Sequence, residues 1–250
     1  QKTTHKKIPF GIAQIGKAFR NEITPRDFIF RCREFELMEF EYFVRESEWE
    51  KHFEFWKSEM NEWIAEIGID TSKVSELEVS KEDRAHYSKR TVDFEFEYPF
   101  GKKELFGLAY RGSYDLESHK LQYQDEDTGE KITPHDIEPS LGADRAFLAT
   151  ILSAYTEDEM NDETRVYLKL KPSIAPVLCA VSPLLKNKPE LVEKAREVYG
   201  MLKKEFGRVA WDDNGNIGKR YRRQDEIGTP WCIVVDFDIL GENKDLEGTI

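Results

Sequence analysis

Arginine, glutamate and phenylalanine crowd one stretch, FRNEITPRDFIFRCREFELMEFEYF, residues 19–43. Arg20, Arg31 and Arg33 offer planar guanidiniums suited to bidentate contact with phosphate oxygens. Glu22, Glu39 and Glu41 offer carboxylates that could accept from an ammonium or an exocyclic amine, and Phe35 a ring that could stack on a base. Arg33 to Glu39 covers roughly 20 Å at about 3.3 Å per residue of strand, enough for a nucleotide at one end and a small amine at the other. A solvated, salt-bridged sheet face would explain the same composition about as well. A second cluster lies at 138–145. Glu138 and Ser140 share a strand face, Gly142 opens a helix, and Arg145 stands in its first turn, where a cation opposes the helix dipole. Arg145 either pairs with Asp144 or Glu138, or meets an anion together with the helix N-terminus.

Two strands, 12–22 and 30–44, joined by ITPRDFI with Pro25 and Asp27 as turn residues, position the first cluster. Alternation then places Arg31, Arg33, Phe35, Leu37, Glu39 and Glu41 on one face. Residues 47–67 have helical spacing, with Ser47 as N-cap, Gly68 past the end, and a core stripe of Trp49, Phe53, Trp56, Met60, Trp63 and Ile67. TVDFEFEY at 91–98 alternates as a strand with one polar face. A turn, a short strand and a loop follow, then a strand ending near Ser140 and a helix from about Gly142. Near residue 157 the composition shifts, and TEDEMNDET reads as an acidic linker. Beyond it come strand-like runs at 165–170 and 176–181. A helix spans 189–206, with Pro189 in its first turn and Gly207 after it. A short strand at 208–211, a basic helix at 214–227 and a buried strand at 231–237 complete the pattern. The expectation is two domains, 1–162 and 163–250, the second a small α/β unit with a partly parallel sheet.

Across its 250 residues the chain carries a net charge of −12, which excludes a general nucleic-acid coat and leaves RNA contact to a local patch. GKRYRR, residues 218–223, is such a patch, with Lys219, Arg220, Arg222 and Arg223 as cations and Tyr221 and Trp211 as stacking candidates; a solvated helix face is the alternative. Cys32, Cys179 and Cys232, the only three cysteines, are far apart, which argues against a disulfide scaffold or zinc site. No apolar run approaches the ~18 residues of a membrane span, and QKTTHKKIPF has no apolar signal region, so a cytoplasmic location is expected.

These motifs resemble a known family. FRNE followed by FRCREFELMEFEYF resembles motif 2 of the class II aminoacyl-tRNA synthetases, and EPSLGADR resembles their motif 3. IPFGIAQIGKAFRNEITPRDFIFRCREFELMEFEYF, LAYRGSYDLESH, TPHDIEPSLGADR and GKRYRRQDEIGTPWCIVVDFD are similar to the dimeric glycyl-tRNA synthetases, from about residue 6 to 238. The resemblance implies an α+β catalytic domain built on an antiparallel sheet, followed by an α/β anticodon-binding domain. It implies that glycine and ATP give glycyl-adenylate and pyrophosphate, and that glycine then passes to tRNA(Gly), with Mg²⁺ as a helper and a homodimer as the full assembly.

Site residues follow from the same resemblance, position by position. Arg20 and Arg145 would be catalytic, Arg20 on the α-phosphate and Arg145 on the γ-phosphate and over the adenine. The ATP site would comprise Arg20, Asn21, Glu22, Phe30, Arg31, Arg33, Glu34, Phe35, Glu104, Leu105, Gly142, Ala143, Asp144 and Arg145. Within it, Glu22 would accept from the adenine amino group, Phe35 would stack on the ring, and Glu104 could bind Mg²⁺. The glycine site would comprise Phe35, Glu36, Leu37, Met38, Glu39, Glu138, Pro139, Ser140, Leu141 and Gly142, with Glu138 and Ser140 on the ammonium. Lys219, Arg220, Tyr221, Arg222 and Arg223 would meet tRNA. The motif 1 region of the family is absent from the sequence, so an N-terminal truncation is expected, and a C-terminal one after DLEGTI. A synthetase-derived accessory protein without catalysis, or a class II synthetase for another amino acid, are the rival readings.

Overall fold

A computed structural model describes residues 6–126, 128–160 and 163–241. The chain divides into two compact units between Leu152 and Ser153. The first unit contains β1 (Phe10–Phe19), β2 (Glu34–Val44), α1 (Trp49–Glu66), β3 (Val74–Glu78), β4 (Arg90–Tyr98), β5 (Gly101–Gly112), α2 (Tyr114–Ser118), the short β6 (Tyr123–Gln124) and β7 (Lys131–Ile132), β8 (His135–Gly142) and α3 (Ala143–Ala154), whose last turn spans the division. Six strands form one sheet in the order β1-β2-β8-β5-β4-β3, every neighbouring pair antiparallel.

Period-two alternation gives this sheet two unlike faces. Phe40, Tyr42, Phe94, Phe96, Phe106, Leu108, Ile137 and Leu141 belong to one core with the α1 stripe. Trp49 stacks on Tyr110 at 4.0 Å between ring centres, Trp56 meets Phe40 at 5.3 Å and Trp63 meets Phe106 at 5.3 Å. Phe53, Phe94 and Phe96 are fully buried. α1 begins at Trp49 after a short 3₁₀ turn, so Ser47 is not its cap; Gly68, at φ 80°, does end it. The other sheet face carries the polar residues.

The second unit contains β9 (Tyr155–Met160), β10 (Glu163–Leu168), β11 (Cys179–Pro183), α4 (Pro189–Phe206), β12 (Val209–Trp211), α5 (Ile217–Ile227) and β13 (Trp231–Val235). β9 and β10 pair antiparallel, so the acidic run expected to be a linker is a hairpin. An acidic, polar composition did not reveal the hairpin, in which Asp158 finds a cross-strand partner in Arg165. Asn161 and Asp162 of that run, the segment QKTTH and the end DLEGTI lie outside the described residues. β12, β11 and β13 form a parallel sheet in that order, with α4 packed on it through Leu191, Ala195 and Val198. Asn216 caps α5 by accepting from the Lys219 N–H at 2.9 Å, and Gly228 ends it at φ 72°.

Candidate active site

Sheet register builds the site row by row. Gln14, Glu39, Ser140, Gly107 and Asp93 pair successively across β1, β2, β8, β5 and β4, so all five face the same side. On the same face, Ile12 pairs with Glu41, and Glu138 with Ala109 and then Thr91. Glycine at 107 leaves a bare patch of backbone in the first row. A methyl group there would lie 3.6 Å from Glu104 Oε1 and 3.9 Å from Asp93 Oδ1, so both carboxylates lean over it.

At the β1–β2 end of this face lies a cleft lined by Arg20, Glu22, Phe30, Arg31, Phe35, Glu36, Leu37, Glu104, Leu105, Ser140, Gly142, Asp144 and Arg145. Every one of these was singled out in the sequence, although they come from four separate segments. Ile29 and Cys32 also line it and were not. Arg145 spans the cleft, donating to the Glu104 backbone carbonyl at 2.9 Å and to Glu104 Oε2 at 3.1 Å, with its guanidinium 4.3 Å from the Phe30 ring centre. Arg20 lies 5.4 Å from the centre of the Phe35 ring. Arg31 pairs with Glu22 at 3.6 Å, and Arg33 Nε donates to the Glu22 carbonyl at 2.9 Å. Asp144 accepts from the Glu36 backbone N–H at 2.8 Å, joining β2 to the start of α3.

Several positions depart from the expectation. β1 ends at Phe19 and β2 starts at Glu34, so Arg20, Glu22, Arg31 and Arg33 belong to the connecting loop rather than to strand faces. A bridge between Arg26 and Arg31 and the Arg20 N–H donated to the Arg33 carbonyl at 2.9 Å shape that loop. Met38, Pro139 and Leu141 fall on the opposite parity and turn toward the α1 core, so none of their side chains reaches the face that carries Glu39 and Ser140. Asn21, Arg33 and Glu34 are exposed outside the cleft lining, and Glu34 pairs with Lys17. Ala143 is the first residue of α3 and does not line the cleft. Glu39 shares the row and face of Ser140, also beyond the lining.

Glu138 is buried and ion-paired with Arg111, which also donates to Asp115 Oδ2 at 2.8 Å and lies 4.3 Å from the Tyr87 ring centre. Burial pushes the Glu138 carboxyl up to about 7 against the pull of Arg111. Asp93 is raised to about 6, first by burial and then by Glu104 and Glu95. Arg111 and Tyr87 were missed in the sequence. Their signal was only the parity of Arg111 with Gly107 and Ala109 on β5; Tyr87 sits in a loop, where no period exists.

In the second unit the basic run is split. Arg220 is buried and donates to the carbonyls of Pro183 at 2.5 Å, Gly215 at 2.9 Å and Asp213 at 3.2 Å. That network commits both terminal nitrogens of its guanidinium to the interior, which turns Arg220 away from an RNA partner. Arg223 pairs with Asp212 at 2.7 Å and donates to the Asn214 carbonyl at 2.6 Å. Lys219, Tyr221 and Arg222 remain on the exposed side of α5. Trp211 is held between Arg196, 3.6 Å from its ring centre, and Tyr199.

Comparison with known proteins places the geometry in context. Residues 1–155 match the family described as tRNA synthetase class II core domain (G, H, P, S and T), and residues 178–246 match the anticodon binding domain. A glycine–tRNA ligase of Thermus thermophilus is 47% identical over 97% of this chain and 52% of its own length. One of Caldanaerobacter subterraneus is 49% identical over 98% of this chain and 53% of its own, and one of Thermobifida fusca 47% identical over 97% and 55%. The chain thus spans about half the length of the curated relatives it matches.

Proposed function

The chain belongs to the class II tRNA synthetase core family, and from that premise we propose that the whole protein attaches glycine to its tRNA at the expense of ATP, through glycyl-adenylate. The observation that carries this reading is the convergence of Arg20, Phe35 and Arg145 in one cleft that continues into the Glu39–Ser140 row. Glycine's carboxylate is already ionised and attacks the α-phosphorus in line, forming the acyl–phosphate bond as pyrophosphate leaves. No protein base or nucleophile is needed. Catalysis is then positioning and charge stabilisation, which guanidiniums supply.

Arg20 stands beside Phe35, so a base stacked on that ring would bring its α-phosphate to this guanidinium. Arg145 would meet the distal phosphate, which would compete with Glu104 for it. Glu138, held by Arg111, and Ser140 would take the ammonium, with Glu39 alongside. A methyl on the amino acid would then meet carboxylates rather than open space, which discriminates against alanine by steric conflict. For Mg²⁺, Glu104 would be the side chain to hold it. Among the described residues no three metal-ligating side chains meet, so such an ion would draw most of its oxygens from the triphosphate, whose charge it would neutralise. For tRNA, the exposed Lys219, Tyr221 and Arg222 are the contacts α5 can offer. A second copy in the full assembly rests on the likeness of the motif wording to the dimeric synthetases. No helix among the described residues is long and apolar enough to cross a membrane.

Calorimetric titration of the full-length protein with a non-hydrolysable glycyl-adenylate analogue, beside its alanyl and seryl counterparts, tests the proposal. The glycyl form is expected to bind at least about tenfold tighter than the alanyl form, the scale on which one methyl group is discriminated. Equal binding of the three would remove glycine from the proposal, and no binding by a folded protein would remove the synthetase reading.

A further inference from the structure

Beneath Glu138 the sheet holds two more carboxyls that the reaction does not use. Asp136 on β8 pairs with Phe43 on β2, and Glu41, two residues before Phe43, shares its face. Asp136 is 6% exposed. Asp136 Oδ1 and Glu41 Oε2 are each buried without a hydrogen-bonding partner. Two ionised carboxylates so placed would repel each other and leave two buried oxygens unsatisfied. One proton between them would end both conditions. Burial, and then the approach of the Glu41 carboxyl, pushes the Asp136 carboxyl up to about 10.

The surroundings supply no other remedy. Arg111, the guanidinium facing the pair from β5, is committed to Glu138 and to Asp115 of α2. From β8 the neighbouring charge is Glu138, and from β2 it is Glu39. β1 contributes Ile12, paired with Glu41, and Gln14, neither of which titrates. His135 joins the Tyr110 hydroxyl at 2.5 Å and approaches Glu46 at 3.9 Å, and Lys89 lies 5.7 Å from the Tyr110 ring centre.

We propose that Asp136 and Glu41 share a single proton, forming a clasp between β8 and β2 that positions Glu138 for the substrate ammonium. Asp136 is then a positioning residue. Its neutral carboxyl donates to Glu41 and spares Glu138 a second negative neighbour. The shared proton stands independently of the function proposed above; only its consequence for glycine rests on that reading.

Infrared difference spectroscopy of the chain at pH 7, wild type minus Asp136→Asn, reads the proton directly. A protonated-carboxyl band present in the wild type and lost in the variant is expected; a wild type with every carboxyl ionised overturns the clasp. The amide introduced by Asp136→Asn can still donate to Glu41, whereas the methyl left by Asp136→Ala cannot. Asp136→Asn should therefore melt within a few degrees of wild type and Asp136→Ala well below it; equal losses in the two would also overturn the clasp. Should Asp136→Asn not fold, ¹³C-carboxyl labelling of aspartate in the wild type decides the same question, by one aspartate that stays protonated at pH 7 or by none. In the full-length enzyme, Asp136→Ala is expected to raise the glycine KM about tenfold with ATP KM unchanged, and Asp136→Asn to restore it. If the band is present but the full-length enzyme shows no glycine-dependent activity, the ligase reading fails and the shared proton stands.

Discussion

Arg111 is the residue that holds the buried Glu138. Its guanidinium holds a buried carboxylate, and removing one partner of such a pair strands the other. Arg111→Leu is expected to cost roughly 3 kcal/mol in urea unfolding, with part of the loss recovered when Glu138→Gln is added. Asp93 and Asp136 contribute to the response to pH. Each has a carboxyl raised by burial above its ordinary value of 3.8, to about 6 and about 10. The folded state therefore holds these protons more tightly than the unfolded one. Stability from this source is full below about pH 4 and is lost as pH rises, through about 6 for Asp93 and toward about 10 for Asp136. Melting temperatures of wild type and Asp93→Asn between pH 4 and 8 check the sign: the variant curve should be flatter, and a steeper one would contradict it.

At the scale of elements, short side-chain contacts hold the loop and helix ends. Asp144 accepts from the Glu36 N–H, so Asp144→Ala should loosen the start of α3 against β2, with a loss of about 1–2 kcal/mol read by denaturant unfolding. Gly228 ends α5 at φ 72°, and a Cβ there would lie 2.6 Å from Leu170 Cδ1 and 3.0 Å from the Leu168 carbonyl. Gly228→Ala combines a left-handed backbone with that crowding, and should lower the stability of the second unit by at least ~1–2 kcal/mol. Gly107 differs from it. A methyl there fits without clash but covers the bare backbone beneath Glu104 and Asp93, so Gly107→Ala should fold normally and weaken substrate binding.

At the scale of the whole molecule, acidity confines any RNA contact to small exposed patches, and α5 shows how little of a basic run is free. Arg222→Ala should weaken tRNA binding and make it less steep with salt, since one phosphate contact is lost. Arg220→Ala should instead destabilise the second unit, because three carbonyls, the buried one of Pro183 among them, lose their donor. Circular dichroism beside filter binding separates the two. If Arg220→Ala folds as wild type yet loses RNA, the assignment of Arg220 to the interior is wrong.

The sequence by itself determined the locally patterned elements and most of the cleft lining, but not the β9–β10 hairpin or the places of Ile29 and Cys32. The α1 stripe, the α4 helix from Pro189 to Phe206 and its Gly207 end were legible because each rests on a local period or a local backbone preference. Arg20, Phe35, Glu104 and Arg145 were legible because their motifs are contiguous in the chain. Tertiary structure alone decided what each charge does. Arg220 and Arg222 are two residues apart in one basic run, yet the first is buried among carbonyls and the second is exposed. Helical rotation against a packed sheet, not composition, separates them. Met38 and Glu39 are adjacent, yet strand parity turns one to the α1 core and the other to the face of Ser140. Arg111, Glu138, Asp136 and Glu41 come from three strands, and no spacing along the chain could announce their meeting. Sheet register brought them together, and burial then decided which of their carboxyls could keep a charge.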